Sequence, residues 1–224
     1  MLYHIKKLLR KRQLENVREL LAHATFVDGR LSAGKVAQRV KNNEEMTGNK
    51  QQMEYLNTLV LGTLADHPLF KIAALPHRMS GAFFARYTAG MEYGEHIDDP
   101  IMGPMGGRYR TDVSSTIFLS GPDEYEGGEL EVKTPFGDNL VKCEAGDAVF
   151  YPSGSLHRVR PVTSGERLVA VTWTQSMIRD PGQRAVLAEL GQAREQMLEQ
   201  NPEDELTRKI DHSYINLVRM WAEL

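Results

Sequence analysis

The stretch from residue 78 to residue 175 constrains the fold most, because it combines short hydrophobic segments with no helical period. These segments are rich in β-branched and aromatic residues, and turns of Gly, Pro, Asp and Ser separate them; examples are AFFARYTA, SSTIFLS, DAVFYP and RLVAVTWTQ. Many short strands with no helices between them favour an antiparallel β-sandwich or barrel over an α/β fold. We therefore expect any active site to lie inside a β-rich core.

Helical periodicity flanks this core on both sides. Before it, apolar residues recur at helical spacing in three groups, which predict three helices; the groups are Leu14, Val17, Leu20 and Leu21, then Val36 and Val40, then Met53, Leu56, Leu59, Val60 and Leu64. After it, two amphipathic helices are expected, one from Asp180-Pro181 and one from Asn201-Pro202. The sequence predicts an N-terminal helical region (1–77), a β-rich domain (78–178) and a C-terminal helical extension (179–224).

Composition excludes several classes of function. With 224 residues, 41% of them hydrophobic, the chain is expected to form one catalytic-sized domain with helical additions. Its net charge of -3 gives no electrostatic reason to expect nucleic acid or an anionic membrane as a partner. The lone Cys143 cannot form an intramolecular disulfide, and neither an export signal nor a bilayer-length apolar segment is visible. We expect a soluble, cytoplasmic protein.

A possible metal site begins with His96 and Asp98 in EYGEHIDDP. If this piece is extended, residues two apart point to the same face, so both side chains can reach one cation. The pattern alone is weak, because a solvated histidine and aspartate at a strand end are common. His157, at the start of a later predicted strand, supplies a third ligand. Two imidazoles and one carboxylate are the set associated with non-haem Fe(II) oxygenases, whereas a structural zinc site usually has several cysteines.

Arg167 follows His157 by ten residues and begins the next predicted strand. Its guanidinium is permanently charged and matches a carboxylate with two parallel hydrogen bonds. The alternative is an ordinary surface arginine in a hairpin.

These motifs occur in the order HxD, GGEL, GD, PSxxxH and Arg, within the segments FARYTAGMEYGEHIDDP, TIFLS, YEGGEL and GDAVFYPSGSLHRVRPVTSGERLVAVTWTQ. The sequence resembles the prolyl 4-hydroxylase-like branch of the Fe(II)/2-oxoglutarate-dependent dioxygenases. Over essentially its whole length it resembles, more closely, the bacterial PKHD-type hydroxylases.

The resemblance implies an α+β fold with a double-stranded β-helix (jelly-roll, cupin-like) core formed by the β-rich domain. It implies that His96, Asp98 and His157 bind Fe(2+), that Arg167 binds the distal carboxylate of 2-oxoglutarate, and that the Tyr87 hydroxyl also binds this cosubstrate. The implied reaction consumes O2 and releases succinate and CO2, with L-ascorbate as the reductant. Halogenating relatives lack the carboxylate ligand, so the presence of Asp98 predicts hydroxylation.

The substrate is left open between a prolyl or lysyl residue of a peptide and a small molecule, and a link to iron uptake is implied by the resemblance alone. Residues 99–110 are a candidate lid, and the helix of Trp221 could form a homodimer. Two alternative functions remain, a Zn(II) hydrolase that uses the same triad and a non-enzymatic sensor of iron or 2-oxoglutarate. Further candidates for contact with the substrate are Met91, Met102 and Met105, and the arginines Arg108, Arg110, Arg158 and Arg160.

Overall fold

Between residues 76 and 176 the chain forms strands and no helix, as the sequence predicts. The computed structural model describes residues 2–224. Its strands form two facing antiparallel sheets and two short ribbons. The arrangement is a jelly-roll core with helices before and after it, which confirms the predicted α+β class.

The larger sheet has eight strands. Seven of them pair in the order β1 (Tyr3–Ile5), β14 (Ala148–Pro152), β10 (Val113–Phe118), β17 (Arg167–Ser176), β6 (Phe83–Tyr87), β4 (Glu44–Thr47) and β2 (Thr25–Asp28); the eighth, β5 (Pro76–Met79), pairs with the end of β17. All six residues of β10 are buried, because helices cover one face of this sheet and the second sheet covers the other.

The smaller sheet has five strands. Their order is β13 (Gly137–Val141), β12 (Leu130–Thr134), β15 (His157–Val159), β7 (Glu92–His96) and β3 (Lys41–Asn42). The ribbons pair β11 (Tyr125–Gly127) with β16 (Val162–Gly165), and β8 (Ile101–Met102) with β9 (Tyr109–Arg110). The second ribbon shows that residues 99–110 include a β-hairpin.

Two hydrophobic clusters lie on opposite faces of the larger sheet. Helices α1 (Lys11–Ala22), α2 (Lys50–Asp66) and α3 (Pro68–Ala74) contribute to the first, together with the outward side chains of the sheet. The second lies between the two sheets and contains Tyr87, Phe118, Leu130, Tyr151 and Val169. Side chains of β10 alternate between the clusters, with Ile117 in the first and Phe118 in the second. The space between the sheets is therefore where a pocket can form.

The predicted helix at Val36 and Val40 is wrong. That segment forms short 3-10 turns at Gly29–Ser32 and Ala37–Arg39, followed by β3 and β4. Val36 is 79% exposed, so the apolar pair does not form a core-facing stripe. Pairing of β3 with β7 and of β4 with β6 determines this region instead.

The C-terminal extension consists of α4 (Pro181–Gln200) and α5 (Glu205–Trp221). Helix α4 begins as predicted, with the Asp180 carboxylate accepting a hydrogen bond from the Gln183 amide at 2.8 Å. Helix α5 begins later than predicted, because Asp204 caps it, whereas Asn201 ends α4. Its inner residues pack with Leu187 of α4 on Leu75 and Ile178.

No helix within residues 2–224 has both the length and the apolar character that crossing a membrane requires. The division of the chain at residues 77 and 178 stays a prediction, although strands β1 to β4, which precede residue 77, belong to the two sheets.

Candidate metal and cosubstrate site

A pocket lies between the two sheets, and all five site residues predicted from the sequence line it: Tyr87, His96, Asp98, His157 and Arg167. The smaller sheet supplies both histidines, and the larger sheet supplies the tyrosine and the arginine. Asp98 lies two residues beyond the end of β7. The structure therefore brings together residues that are up to 80 positions apart in the sequence, counted from Tyr87 to Arg167.

The two histidines and the aspartate converge at one point. Antiparallel pairing of β15 with β7 places His157 directly opposite His96. The Oδ1 atom of Asp98 lies 3.9 Å from Nε2 of His96 and 3.8 Å from Nε2 of His157. The ligand atoms of all three residues are within 4.8 Å of one another, and the side chains are at most 8% exposed. Such a group matches the donor set that Fe(II) oxygenases use.

Backbone carbonyls hold both imidazoles in the form that a cation requires. The Nδ1 atom of His96 lies 2.7 Å from the Gly94 carbonyl oxygen, and that of His157 lies 2.9 Å from the Ser155 carbonyl oxygen. Because a carbonyl only accepts, each Nδ1 carries the proton and each Nε2 presents a lone pair to the shared space. Burial, followed by the proximity of His157, lowers the pKa of His96 to about 4, which keeps that ring neutral at physiological pH. The triad thus fits a divalent cation.

Arg167 is the largest side chain that is almost fully buried, at 1% exposure. Its guanidinium carbon lies 5.0 Å from the ring centre of Tyr87 and 5.7 Å from that of Phe118. Across residues 2–224 no carboxylate forms an ion pair with it, and its Nε and Nη1 atoms are buried without a hydrogen-bond partner. A buried charge without a partner is costly, so this geometry suits an anionic ligand entering the pocket.

Tyr87 is the cross-strand neighbour of Arg167 in the β6–β17 pair. Burial raises the pKa of its phenol to about 12, so the hydroxyl stays protonated and can donate a hydrogen bond. Arg167 and Tyr87 together can thus offer N–H and O–H donors to a carboxylate.

Sequence reasoning missed the polar side chains that the N-terminal segment adds to the pocket. These are Lys41, Asn43 and Glu45, from β3, β4 and the residue between them. Lys41 and Glu45 form an ion pair in which both side chains are at most 13% exposed, and it joins the edge of the smaller sheet to the larger sheet. Their region was predicted to be helical, so no sequence signal placed them at the site.

Aromatic residues also surround the triad. Tyr93 stacks on the His96 ring at 3.6 Å between ring centres, with the planes inclined by 13°. Phe83 and Trp173 meet edge to face at 5.3 Å between ring centres and also line the pocket.

The pocket is not lined by three of the candidate arginines, Arg110, Arg158 and Arg160. Arg158 and Arg160 point away from the pocket and bind the buried Glu131 carboxylate at 2.9 Å and 2.6 Å. Arg110 binds the carbonyl oxygens of Ser176 at 3.1 Å and Glu223 at 3.3 Å, which ties β9 to the C-terminus. In β15, residues alternate between the two faces, so an arginine next to His157 must face outward.

Met102 and Met105 are not among the pocket-lining residues, and Met105 is 91% exposed.

Comparison with known proteins agrees with this geometry. Residues 82–175 match the family model of the 2OG-Fe(II) oxygenase superfamily. The chain is 57% identical, over the full length of both proteins, to a PKHD-type hydroxylase of Thioalkalivibrio sulfidiphilus. The chain belongs to the PKHD-type hydroxylases of the 2OG-Fe(II) oxygenase superfamily. It is therefore an Fe(II)/2-oxoglutarate-dependent dioxygenase, whose reaction uses Fe(2+), 2-oxoglutarate and O2.

Solved structures share the fold at low sequence identity. A prolyl-4-hydroxylase of Pseudomonas putida is 19% identical, with a TM-score of 0.52 over 78% of this chain and 92% of that one. A prolyl hydroxylase of Trichoplax adhaerens is 17% identical, with a TM-score of 0.57 over 83% of this chain and 86% of that one. These two solved structures support the jelly-roll description of the two sheets.

Proposed function

We propose that this PKHD-type hydroxylase binds Fe(II) through His96, Asp98 and His157, and binds the distal carboxylate of 2-oxoglutarate through Arg167 and Tyr87, to hydroxylate an organic substrate. The observation that carries the proposal is the buried Arg167 guanidinium, which has no carboxylate partner within residues 2–224 and shares one pocket with the triad. A hydrolase that activates water on Zn(II) has no need of such a cation.

Each residue has a task that its contacts support. The Gly94 and Ser155 carbonyls orient the two imidazoles, so their Nε2 atoms face the cation position before any ligand arrives. His96, Asp98 and His157 would hold Fe(II) from one side, and this would leave room for the cosubstrate and O2. Bound there, Fe(II) would supply the redox chemistry that couples conversion of 2-oxoglutarate to succinate and CO2 with substrate hydroxylation.

The cosubstrate end of the pocket selects a dicarboxylic acid. Arg167 offers paired N–H donors, and Tyr87, with its raised pKa, offers a neutral O–H donor beside them. A monocarboxylic oxo acid that chelates the metal would leave both donors unpaired in a buried place, which costs free energy. The site therefore favours 2-oxoglutarate over pyruvate.

Apolar side chains surround the rest of the pocket: Phe83, Ala85, Leu130, Val159, Val171 and Trp173. They exclude water from the reacting centre and provide a surface for an aliphatic group of the substrate. For the substrate we propose a prolyl or lysyl residue of a peptide, or a small molecule. The Trichoplax adhaerens enzyme was solved with a peptide fragment of hypoxia inducible factor, which supports the peptide option. L-Ascorbate as the reductant and a link to iron uptake are further parts of the proposal.

The test of this function is the affinity for 2-oxoglutarate in Arg167→Ala. Loss of a charge-assisted pair should weaken binding by about 1.5–3 kcal/mol, or about 10- to 150-fold. Arg86→Ala is the matched control, because Arg86 adjoins Tyr87 in β6 but pairs with Glu44 at 2.7 Å, away from the pocket. Calorimetric titration of the metal-loaded protein with 2-oxoglutarate measures the affinity of both variants. Equal affinities in the two variants would contradict the assignment of Arg167.

Succinate formation separates this proposal from a sensor function. Purified protein with Fe(II), 2-oxoglutarate and ascorbate should release succinate when an extract that contains the substrate is added. Binding of 2-oxoglutarate with no succinate or CO2 in any extract would favour a sensor.

A further inference from the structure

Two buried serine hydroxyls stand behind Asp98, on the side away from the histidines. Ser114 of β10 hydrogen-bonds the Oδ2 atom of Asp98, and the Oγ atom of Ser153 lies 2.8 Å from that of Ser114. Both serines are 2% exposed. A carboxylate only accepts, and Ser114 has a single hydroxyl proton, so Ser114 donates to Asp98 and Ser153 donates to Ser114. The two hydroxyls form a directed chain that ends on Asp98.

Asp98 needs such support more than the histidines do. His96 and His157 lie within strands, and a backbone carbonyl holds each ring. Asp98 lies beyond the end of β7, between Ile97, which is 56% exposed, and the exposed Asp99. Nothing in the smaller sheet therefore determines how the Asp98 carboxylate is rotated.

The larger sheet supplies the hydrogen bond that orients the Asp98 carboxylate. Ser114 is on its strand β10, which pairs with β14 on one side and β17 on the other and is buried along its whole length. Ser153 follows β14, and its amide donates to the Asp112 carbonyl oxygen at 3.2 Å. The chain thus connects a rigid part of the fold to the one triad residue outside a strand.

We infer that Ser114, and through it Ser153, are positioning residues for metal binding. Ser114 engages Oδ2 of Asp98, which leaves Oδ1 directed at the Nε2 atoms of His96 and His157. This inference rests on the proposed metal site, which it deepens. Partners that orient metal ligands typically affect metal affinity by about 10- to 100-fold when they are removed.

The experiment is a titration of the full-length, metal-free protein with Mn(II), in which the EPR signal of free Mn(II) gives the dissociation constant. Ser114→Ala should raise that constant by about 10- to 100-fold. Ser153→Ala should raise it by about two- to tenfold, since it removes one neutral hydrogen bond at a distance from the ligand. The metal-free Ser114→Ala protein should melt at a lower temperature, because the buried Asp98 carboxylate loses a hydrogen-bond donor. Mn(II) affinity is therefore measured well below the melting temperature, where a purely structural role would leave it unchanged.

Ser115→Ala is the matched control. Ser115 is the next residue in β10 and fully buried, but it faces the helices, and its hydroxyl has no hydrogen-bond partner. Its replacement should leave Mn(II) affinity unchanged.

Asp98→Ala and His157→Ala separate two kinds of failure. If both bind Mn(II) as tightly as the unsubstituted protein, the proposed metal site itself is wrong. If both lose binding while Ser114→Ala binds Mn(II) normally, the inference about Ser114 is overturned and the metal site stands. Should Ser114→Ala not fold, Ser153→Ala decides, and unchanged affinity in that variant would overturn the inference.

Discussion

The two sheets that form the pocket differ in regularity. The larger sheet carries Arg167 and Tyr87 on paired strands, one of which, β17, is ten residues long and mostly buried. The smaller sheet carries the histidines on β7 and β15, strands of five and three residues whose pairing shifts register between His157 and Val159. Its edge strand β13 is largely exposed.

The difference between the sheets follows from the free-energy cost of burying the guanidinium in one and the imidazoles in the other. A buried guanidinium without a partner destabilises the free protein, so it requires a framework whose own packing is strong. Neutral imidazoles cost much less to bury and tolerate short strands, provided that local hydrogen bonds orient them. Arg167, whose buried charge is costly in free energy, thus lies on the more regular of the two sheets.

The largest expected effect tests the metal-binding side of this comparison. Asp98→Ala should abolish succinate formation, because it removes the sole anionic residue of the triad. Asp99→Ala, at the exposed neighbouring position, should retain turnover. Succinate measured by mass spectrometry after incubation with Fe(II) and 2-oxoglutarate compares the two variants. Full turnover by Asp98→Ala would refute its role as a ligand.

Stability should depend far more on the larger sheet than on the outer hairpin of the smaller one. Phe84 of β6 is fully buried, and Phe84→Ala should lower the free energy of unfolding by about 3–5 kcal/mol. Phe136, between β12 and β13, is 99% exposed, and Phe136→Ala should change it by less than about 0.5 kcal/mol. Urea denaturation of both variants provides the measurement, and similar losses would show that the sheets are equally important.

The smaller sheet should make the metal-free protein sensitive to acid. The folded-state pKa of His96 is about 4, below its ordinary 6.5, so between these values the unfolded chain takes up a proton that the folded one excludes. The free energy of unfolding should be highest above pH 6.5 and fall by about 1 kcal/mol by pH 5.5 on account of this group.

Urea denaturation in EDTA measures this pH dependence. His96→Gln should flatten it, whereas replacement of the exposed His77 should not. An unchanged slope in His96→Gln would show that another group is responsible.

The smallest effect concerns the cosubstrate end of the larger sheet. Tyr87→Phe removes one neutral hydroxyl and should weaken 2-oxoglutarate binding by about 0.5–1.5 kcal/mol, less than Arg167→Ala does. Calorimetry under the same conditions compares them. A loss in Tyr87→Phe that exceeded the loss in Arg167→Ala would reverse the proposed order of importance.

Local signals predicted the core well. Short β-branched segments separated by turns indicated the strands from residue 78 to residue 175, and the Asp180 cap located the start of α4. The candidate site was predictable because its histidines, aspartate and arginine occupy an ordered motif, and the structure places all four in one pocket.

Features that depend on tertiary pairing were not predictable. The two valines at 36 and 40 suggested a helix, but a 3-10 turn forms at Ala37–Arg39 and β3 and β4 follow it. These two strands form because β7 and β6, from a later part of the chain, offer them hydrogen-bond partners. For the same reason Lys41 and Glu45 gave no signal of lining the pocket. Ser114 lies in an ordinary SST run, and only the folded chain brings it to Asp98.

The contact between Arg110 and the Glu223 carbonyl has a practical consequence for anyone who purifies this enzyme. The last residues turn back over the protein, where Ala222 pairs with Ile178 and Glu223 meets the hairpin that follows Asp98. An affinity tag fused after Leu224 would begin two positions beyond Glu223. A tag at the N-terminus leaves the contact between Arg110 and Glu223 intact. The activities of the two fusion proteins should be compared before any kinetic constant is interpreted.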